Sequence, residues 1–418
     1  MKLLVVAGEV SGDHHAGALL AALARRVPDL SVFGVGGERC EAAGVRLVAH
    51  QRDLAVVGFV EAFSKVLSSR RLGYGLIDEA RRERVDGAVL IDFPDFNLPL
   101  AKLLRKAGVP VVFYVSPQVW AWRSRRARKI ADRGRAILVL FGFEKRWYDA
   151  RGLGRGVTWV GHPLVDEVAR ELATPAAPPP DGRRRVVLMP GSREGEVRRI
   201  LPVLRGAADL LEARFPGIEI VLVRAEPISE ALVAQLAGPS LSRWTVVTGP
   251  HLALLAASDV LLVASGTATL EGLLSGVPMV VVYKLNRLSY LLGRLLVKVP
   301  HFAMANLVSD PGTGERAVPE LLQGEANPAR VAEEAARFLE EPGRADRTRA
   351  LYARGRADLG PPGAGDRAAE ALLAALGVAA VATAERAGSG EPVEPVTTVT
   401  TGTTGTTVEC GSGAGEAP

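Results

Sequence analysis

Short uninterrupted apolar runs recur along the chain, separated by longer stretches in which apolar residues return every three or four positions. The runs Lys2–Ala7, Ser31–Val35, Gly87–Ile91, Val109–Val115, Ala136–Leu140 and Val157–Val160 lack polar alternation, as parallel strands covered on both faces do. His14–Arg26 and Asn97–Ala107 carry the helical period between them. A Pro-rich break, Ala173–Gly182, follows. A second series then runs through Arg185–Met189, Glu219–Val223, Thr245–Val247, Val260–Ala264 and Pro278–Tyr283, and Pro328 to Leu376 reads as charged helix. The rhythm predicts an α/β protein with two Rossmann-like, doubly wound domains and a cleft between them. The expected divisions are 1–172, a linker at 173–184, a second domain at 185–345, C-terminal helices at 346–378, and a tail at 379–418. Gly388–Pro418 is rich in Gly, Thr, Ser, Pro and Glu and lacks the apolar residues to fold.

Composition narrows the partners more than the fold. At 418 residues, with 48% hydrophobic and 23% charged residues, the chain is long enough for two cores. Its net charge of +5 favours anionic partners. Aromatic residues do not alternate with basic ones, so a nucleic-acid groove is not expected. Cys40 and Cys410 alone supply no disulfide framework or Cys/His metal cluster, and a reducing cytoplasm is expected. No uncharged apolar run reaches the roughly 20 residues that span a bilayer.

Ligands of doubly wound sheets bind at the carboxyl ends of strands. That rule selects Gly8–Asp13, Asp92–Asn97 and Ser116–Arg123 in the first half, and Pro190–Arg193 and Ser265–Glu271 in the second. Ser265, Gly266, Thr267, Ala268 and Thr269 form a loop of small residues between a buried strand and a helix. There unpaired N–H groups and the helix dipole attract an anion. Glu271 lies roughly 6 Å further along the axis from Thr267, suited to the hydroxyls of an attached ribose. An ordinary packing turn reads equally well from this segment alone.

No dinucleotide fingerprint, P-loop or Asp-x-Asp metal pair is present. A diphosphate would then rest on Arg, Lys and helix N-termini. Arg193, after Gly191 and Ser192, sits where a helix dipole disfavours a cation, a local misfit that points to bidentate phosphate binding. Asp92, cut off from its strand by Pro94, is a candidate base for a hydroxyl. Glu9, Asp13 and Asp95 compete with it, and Asp95 could instead cap the helix from about Phe96. The basic run Arg123–Arg135 beside Trp120 and Trp122, and the amphipathic stretch Val56–Ile77, suit either a solvated or core-facing helix or a lipid surface.

Taken in order, these pieces resemble the bacterial lipid-A-disaccharide synthases, inverting glycosyltransferases of the GT-B fold. The resemblance rests on Ala7–Asp13, Ile91–Asn97, Val115–Arg123, Phe143-Glu144, Val160–Asp166, Pro190–Arg193 and Ala264–Glu271. Pro278–Val281, Leu296–Pro300, Asn306 and Pro319–Gln323 complete it, so that it covers about residues 1 to 376. It implies transfer of 2,3-diacylglucosamine from UDP to 2,3-diacylglucosamine 1-phosphate, giving a β(1→6) disaccharide without cofactor or metal. It implies Asp92 as base and a substrate site drawn from Glu9, Ser11, Gly191, Ser192, Arg193, Ser265–Thr269, Glu271 and Asn306. It also implies work at the inner face of the cytoplasmic membrane, and a homodimer. The chain departs from the family's usual pattern at Gln118, at Leu140–Phe143, and at Ala303–Ala305 before Asn306. A UDP-N-acetylglucosamine epimerase, another UDP-sugar transferase and a non-catalytic nucleotide-sugar binder are the competing readings.

Overall fold

The computed structural model describes residues 1–54, 62–121, 124–174, 176, 179, 182–284 and 300–378. Leu296–Val299, Trp122, Arg123, the start of the Val56–Ile77 stretch and everything after Val378 lie outside them, as do residues 175, 177, 178, 180 and 181 of the linker.

The chain begins with β1 (Lys2–Ala7), α1 (Val10–Arg26), β2 (Ser31–Gly36), α2 (Glu38–Ala42), β3 (Arg46–His50), α3 (Gln51–Leu54) and α4 (Ala62–Glu83). It continues through β4 (Gly87–Ile91), α5 (Pro94–Lys106), β5 (Val111–Tyr114), α6 (Arg126–Arg133), β6 (Ala136–Val139), α7 (Gly142–Asp149), β7 (Val157–Trp159) and α8 (Leu164–Leu172). The seven strands pair in parallel in the order β3-β2-β1-β4-β5-β6-β7. Strand order therefore reverses between β1 and β4, which register Leu3 on Gly87 through Ala7 on Ile91. Leu3 to Ala7 and Ala88 to Ile91 are wholly buried. Each such Leu, Val or Ile contributes about 1.5–3 kcal/mol of transfer free energy, so this pair is the sheet's anchor.

The second half repeats the plan with β8 (Arg185–Met189), α9 (Glu194–Arg214), β9 (Glu219–Arg224), α10 (Glu230–Ala237), β10 (Thr245–Thr248), α11 (Leu252–Ala256), β11 (Val260–Ala264) and α12 (Ala268–Ser275). After β12 (Met279–Tyr283) come α13 (Met304–Ser309), β13 (Glu320–Leu322), α14 (Pro328–Glu340), α15 (Arg344–Leu359) and α16 (Ala364–Leu376). This parallel sheet runs β10-β9-β8-β11-β12-β13 and reverses between β8 and β11. The fold is thus the expected pair of doubly wound α/β sheets.

Several elements differ from the sequence pattern for local reasons. Helix α5 starts at Pro94, whose fixed φ suits a first helical position, so Asn97 lies inside the helix. Asp95 accordingly falls in its first turn and pairs with Arg126 at 3.1 Å, so it does not cap a helix from Phe96. Helix α1 starts at Val10, leaving Gly8 and Glu9 as the whole loop after β1. Strands β3 and β13 escape the pattern because one is half-exposed at the sheet edge and the other is only three residues long.

Contacts between the halves are specific. Helix α16 returns to the first sheet, where Arg26 and Arg25 of α1 hold Asp366. Asp358 of α15, buried, accepts from Arg146 at 2.6 Å and from the Phe143 N–H at 3.2 Å. Helix α8 touches both halves. Its Glu167 pairs with His14 of α1, and one turn later Glu171 accepts the Leu252 and Ala253 N–H groups at the start of α11.

Next to α8, His162 is buried and its Nδ1 accepts the Leu164 N–H at 3.1 Å. Burial, with the nearby His14, pushes its pKa down to about 3. The unfolded imidazole titrates near 6.5, so the unfolded chain takes up this proton first as pH falls. Stability is therefore lost below about pH 6.5, by about 1.4 kcal/mol per pH unit for this one group. Glu144, held protonated up to about 8 by burial, slopes the other way, so the test compares proteins rather than reading one curve. His162→Asn keeps the acceptor and removes the titration. Melting temperatures from about pH 7.5 to about pH 5 should fall more steeply in the wild type than in His162→Asn, whereas parallel curves would contradict the assignment.

Candidate active site

The two strand-order reversals carry four of the five loops selected from sequence; the fifth, Ser116–Arg123, of which residues 116–121 are described, follows β5 instead. At the first, β1 ends in Gly8-Glu9 and β4 in Asp92-Phe93. Asp92 and Phe93 both adopt left-handed backbone, at φ 44° and 46°, and Val115 at the end of neighbouring β5 does so at 58°. Such conformations cost about 1–3 kcal/mol each and persist only where other contacts enforce them. Here the buried Asn97 side chain donates to the carbonyls of Ile91 at 3.2 Å and Asp92 at 2.8 Å. The Asp92 N–H reaches the Tyr114 and Val115 carbonyls at 3.2 and 3.3 Å. The Phe93 ring lies on Gly8, where a Cβ would come within 2.3 Å of it, so only glycine lets the two loops approach.

This turn leaves the Asp92 carboxyl in a largely desolvated position. Burial, then the negative charge of Glu9, raises its pKa to about 6, against one opposing backbone hydrogen bond from Phe93. A carboxylate of that kind is ionised at neutral pH yet far more basic than an exposed one. Its competitors are placed differently. Asp13 is buried in α1 and accepts the N–H groups of Gly37, Arg39 and Cys40 at 2.7, 2.9 and 3.0 Å, which fastens the β2–α2 turn. Glu9 is exposed beside Asp92, and Ser11 is exposed in the first turn of α1.

At the second reversal, β8 ends in Pro190–Arg193 and β11 in Ser265–Thr267. Gly191 has φ 110°, and a Cβ there would lie 2.1 Å from Glu196. That carboxylate accepts backbone hydrogen bonds from Ser192 and Arg193, so it holds the turn. Ser192 and Arg193 are exposed, with Arg193 the N-cap of α9. In the partner loop Gly266 has φ 153°, and Thr267 caps α12 with its side chain exposed. Among the described residues, the N–H groups of Gly266, Thr267 and Ala268 have no backbone acceptor. Three unpaired donors at the amino end of an eight-residue helix make an anion cradle.

Not every selected side chain faces that cradle. Thr269 is fully buried, donating to the Gly266 carbonyl at 2.8 Å and accepting the Ala305 N–H at 3.3 Å. Asn306 is also fully buried; its amide donates to the Val318 carbonyl and Glu320 at 2.9 and 2.7 Å and accepts the Val318 N–H at 2.9 Å. Glu320 further accepts the N–H groups of Phe302 and Ala303. Ser265 Oγ donates to the Phe302 carbonyl at 3.0 Å. Thr269, Asn306 and Glu320 therefore shape the cradle from behind.

Glu271, one turn into α12, is held by a residue that sequence reasoning missed. His251, from the β10–α11 loop, lies 3.0 Å from it. Twenty positions separate the two, and no local pattern links them. Asn97 and Glu320 lie inside stretches that the motifs marked but without these roles, and Glu196 was not selected. Asn97 and Glu196 act on backbone atoms, and Glu320 on backbone atoms and Asn306, contacts that a sequence does not display. Among the described residues, no cluster of three or more His, Cys, Asp or Glu side chains could hold a metal ion.

The comparisons with known proteins agree with this architecture. A family model for lipid-A-disaccharide synthetase matches residues 3–374. The lipid-A-disaccharide synthase of Geobacter metallireducens is 40% identical over 384 residues, covering 90% of this chain and 97% of the relative. That of Myxococcus xanthus is 41% identical over 378 residues, covering 89% and 97%. In fold, the chain is similar to the UDP-GlcNAc 2-epimerase of Neisseria meningitidis, with a TM-score of 0.59 at 12% identity and coverage of 90% and 100%. With a full-length family match and relatives near 40% identity, the chain belongs to the lipid-A-disaccharide synthase family, a family of glycosyltransferases.

Proposed function

We propose that the protein transfers 2,3-diacylglucosamine from UDP to the 6-hydroxyl of 2,3-diacylglucosamine 1-phosphate, forming the β(1→6) lipid A disaccharide and UDP. The observation that carries the reading is Asp92. It is a carboxylate raised to about 6 at the reversal of one sheet, while the anion cradle lies at the reversal of the other. Helix α8 ties the two together through His14–Glu167 and Glu171–Leu252.

In this reading Asp92 accepts the acceptor hydroxyl's proton as the new oxygen–carbon bond forms at the sugar's anomeric carbon. The bond from that carbon to the diphosphate oxygen breaks on the opposite face, which inverts the configuration. Charge developing on the leaving UDP falls on the N–H groups of Gly266–Ala268 and on Arg193. Glu271 accepts the ribose hydroxyls, while Glu9 and Ser11 border the acceptor. Thr269 and Asn306 support the donor site through the loop behind it.

Both substrates carry acyl chains, so a peripheral position on the inner face of the cytoplasmic membrane belongs to the same proposal. Among the described residues no helix is long and apolar enough to cross a membrane. Helices α5 and α6 and the turn before α6 expose Lys102, Arg105, Lys106, Arg125, Arg128 and Lys129. Each cation is worth about 1 kcal/mol at an anionic bilayer. A homodimer enters the proposal from the family resemblance.

Purified protein given the acylated UDP-sugar and the acceptor should release disaccharide and UDP in equal amounts. Conversion of unacylated UDP-N-acetylglucosamine without acceptor would instead support an epimerase, and UDP binding without turnover a non-catalytic binder. Asp92→Asn should lower kcat by about 10²–10⁴-fold with UDP affinity nearly unchanged; loss of both together would count against Asp92 as base. Arg193→Ala removes charge-assisted hydrogen bonds of about 1.5–3 kcal/mol and should weaken UDP binding by at least about tenfold, measured by calorimetry.

A further inference from the structure

The pair His251–Glu271 fixes its own protonation. His251 Nδ1 lies 2.9 Å from the Gly249 carbonyl oxygen, and Nε2 lies 3.0 Å from Glu271 Oε2. A carbonyl and a carboxylate only accept, so both contacts are hydrogen bonds only in the imidazolium form, with hydrogen on both ring nitrogens. The side chains are 21% and 19% exposed, close enough to the surface to meet a ligand and shielded enough for charge to matter. Burial opposes the imidazolium charge. The hydrogen bond and charge of Glu271, the Gly249 carbonyl and Glu171 outweigh that effect and lift the pKa above its ordinary value. The loop itself is pinned from the first half of the molecule, since Glu171 of α8 accepts the Leu252 and Ala253 N–H groups at 2.5 and 3.3 Å.

We propose that the His251 imidazolium is a positioning residue of the donor site, holding one oxygen of Glu271 so that the other meets the ribose hydroxyls of a nucleoside diphosphate. The proposal rests on the reading of Ser265–Glu271 as the UDP cradle. A bare carboxylate near a diphosphate repels it, and His251 supplies the compensating charge within the protein. Loss of the Nε2 proton would turn a lone pair toward Glu271 Oε2, because the other proton stays on Nδ1, which donates it to the Gly249 carbonyl. The facing groups are Glu271 from α12 and Glu171 from α8, both acidic. Donor affinity should therefore fall as pH rises through the His251 titration, while the chemical step is unaffected.

The test is UDP binding to the full chain by calorimetry, from about pH 6.5 to about pH 9, for the wild type and His251→Gln. Glutamine keeps an N–H donor for Glu271 but cannot titrate. The wild type should lose at least about fivefold in affinity toward the alkaline end, corresponding to one hydrogen bond, while His251→Gln stays flat. With the acylated substrates, His251→Gln should raise the donor KM and leave kcat within about twofold. Equal pH slopes in the two proteins, or a loss of kcat with unchanged UDP affinity, would overturn the proposal. No UDP binding by the wild type at any pH would overturn the cradle reading beneath it, and this proposal with it.

Discussion

A carboxylate serves as a base near neutrality only if it is kept from water without being handed to a cation. Asp92 meets that constraint through its backbone. Two successive left-handed residues turn the carboxyl off the end of β4, and the buried amide of Asn97 holds the turn by taking up the Ile91 and Asp92 carbonyls. Gly8 then lets the Phe93 ring close over the loop after β1, which brings Glu9 near. Of the acidic residues that could have shared the role, Asp13 is committed to three backbone N–H groups and Asp95 to an arginine, while Glu9 stays exposed beside Asp92.

In the proposed reading the donor half meets a different problem, the binding of a dianion, with backbone donors at α12 and the exposed Arg193 at α9. Its polar side chains are mostly braces. Glu196 holds the Gly191 turn, Thr269 ties the cradle to α13, and the Asn306–Glu320 pair ties α13 to β13. Helix α8 makes one machine of the two halves. Its Glu167 and Glu171, a turn apart, reach α1 behind the Asp92 loop and the segment that carries His251.

The strands were legible because parallel strands buried on both faces leave unbroken apolar runs; Gly87–Ile91, Arg185–Met189 and Val260–Ala264 begin and end where the pattern places them. The site loops were legible because doubly wound sheets put ligand loops at the carboxyl ends of strands; which of the selected loops sit where strand order reverses was not. What stayed hidden depends on direction rather than composition. Thr269 and Ser265 are both small hydroxyl residues in one loop, yet Thr269 is wholly buried while Ser265 keeps partial exposure. Asn306 reads as a substrate contact through the family resemblance, but its side chain is spent on Val318 and Glu320. His251 meets Glu271 only because α11 and α12 pack side by side, a fact with no signature in either segment.

The central claim is that Asp92 is the base and that its surroundings set its strength. The most direct measurement is the pH dependence of kcat/KM for the donor at saturating acceptor, in the wild type and in Glu9→Gln. The wild type should show an acid limb near 6, and removing the neighbouring charge should move that limb to lower pH. An acceptor phosphate titrating in the same range would leave the limb where it was. A limb that is absent, or that does not move in Glu9→Gln, would contradict the account.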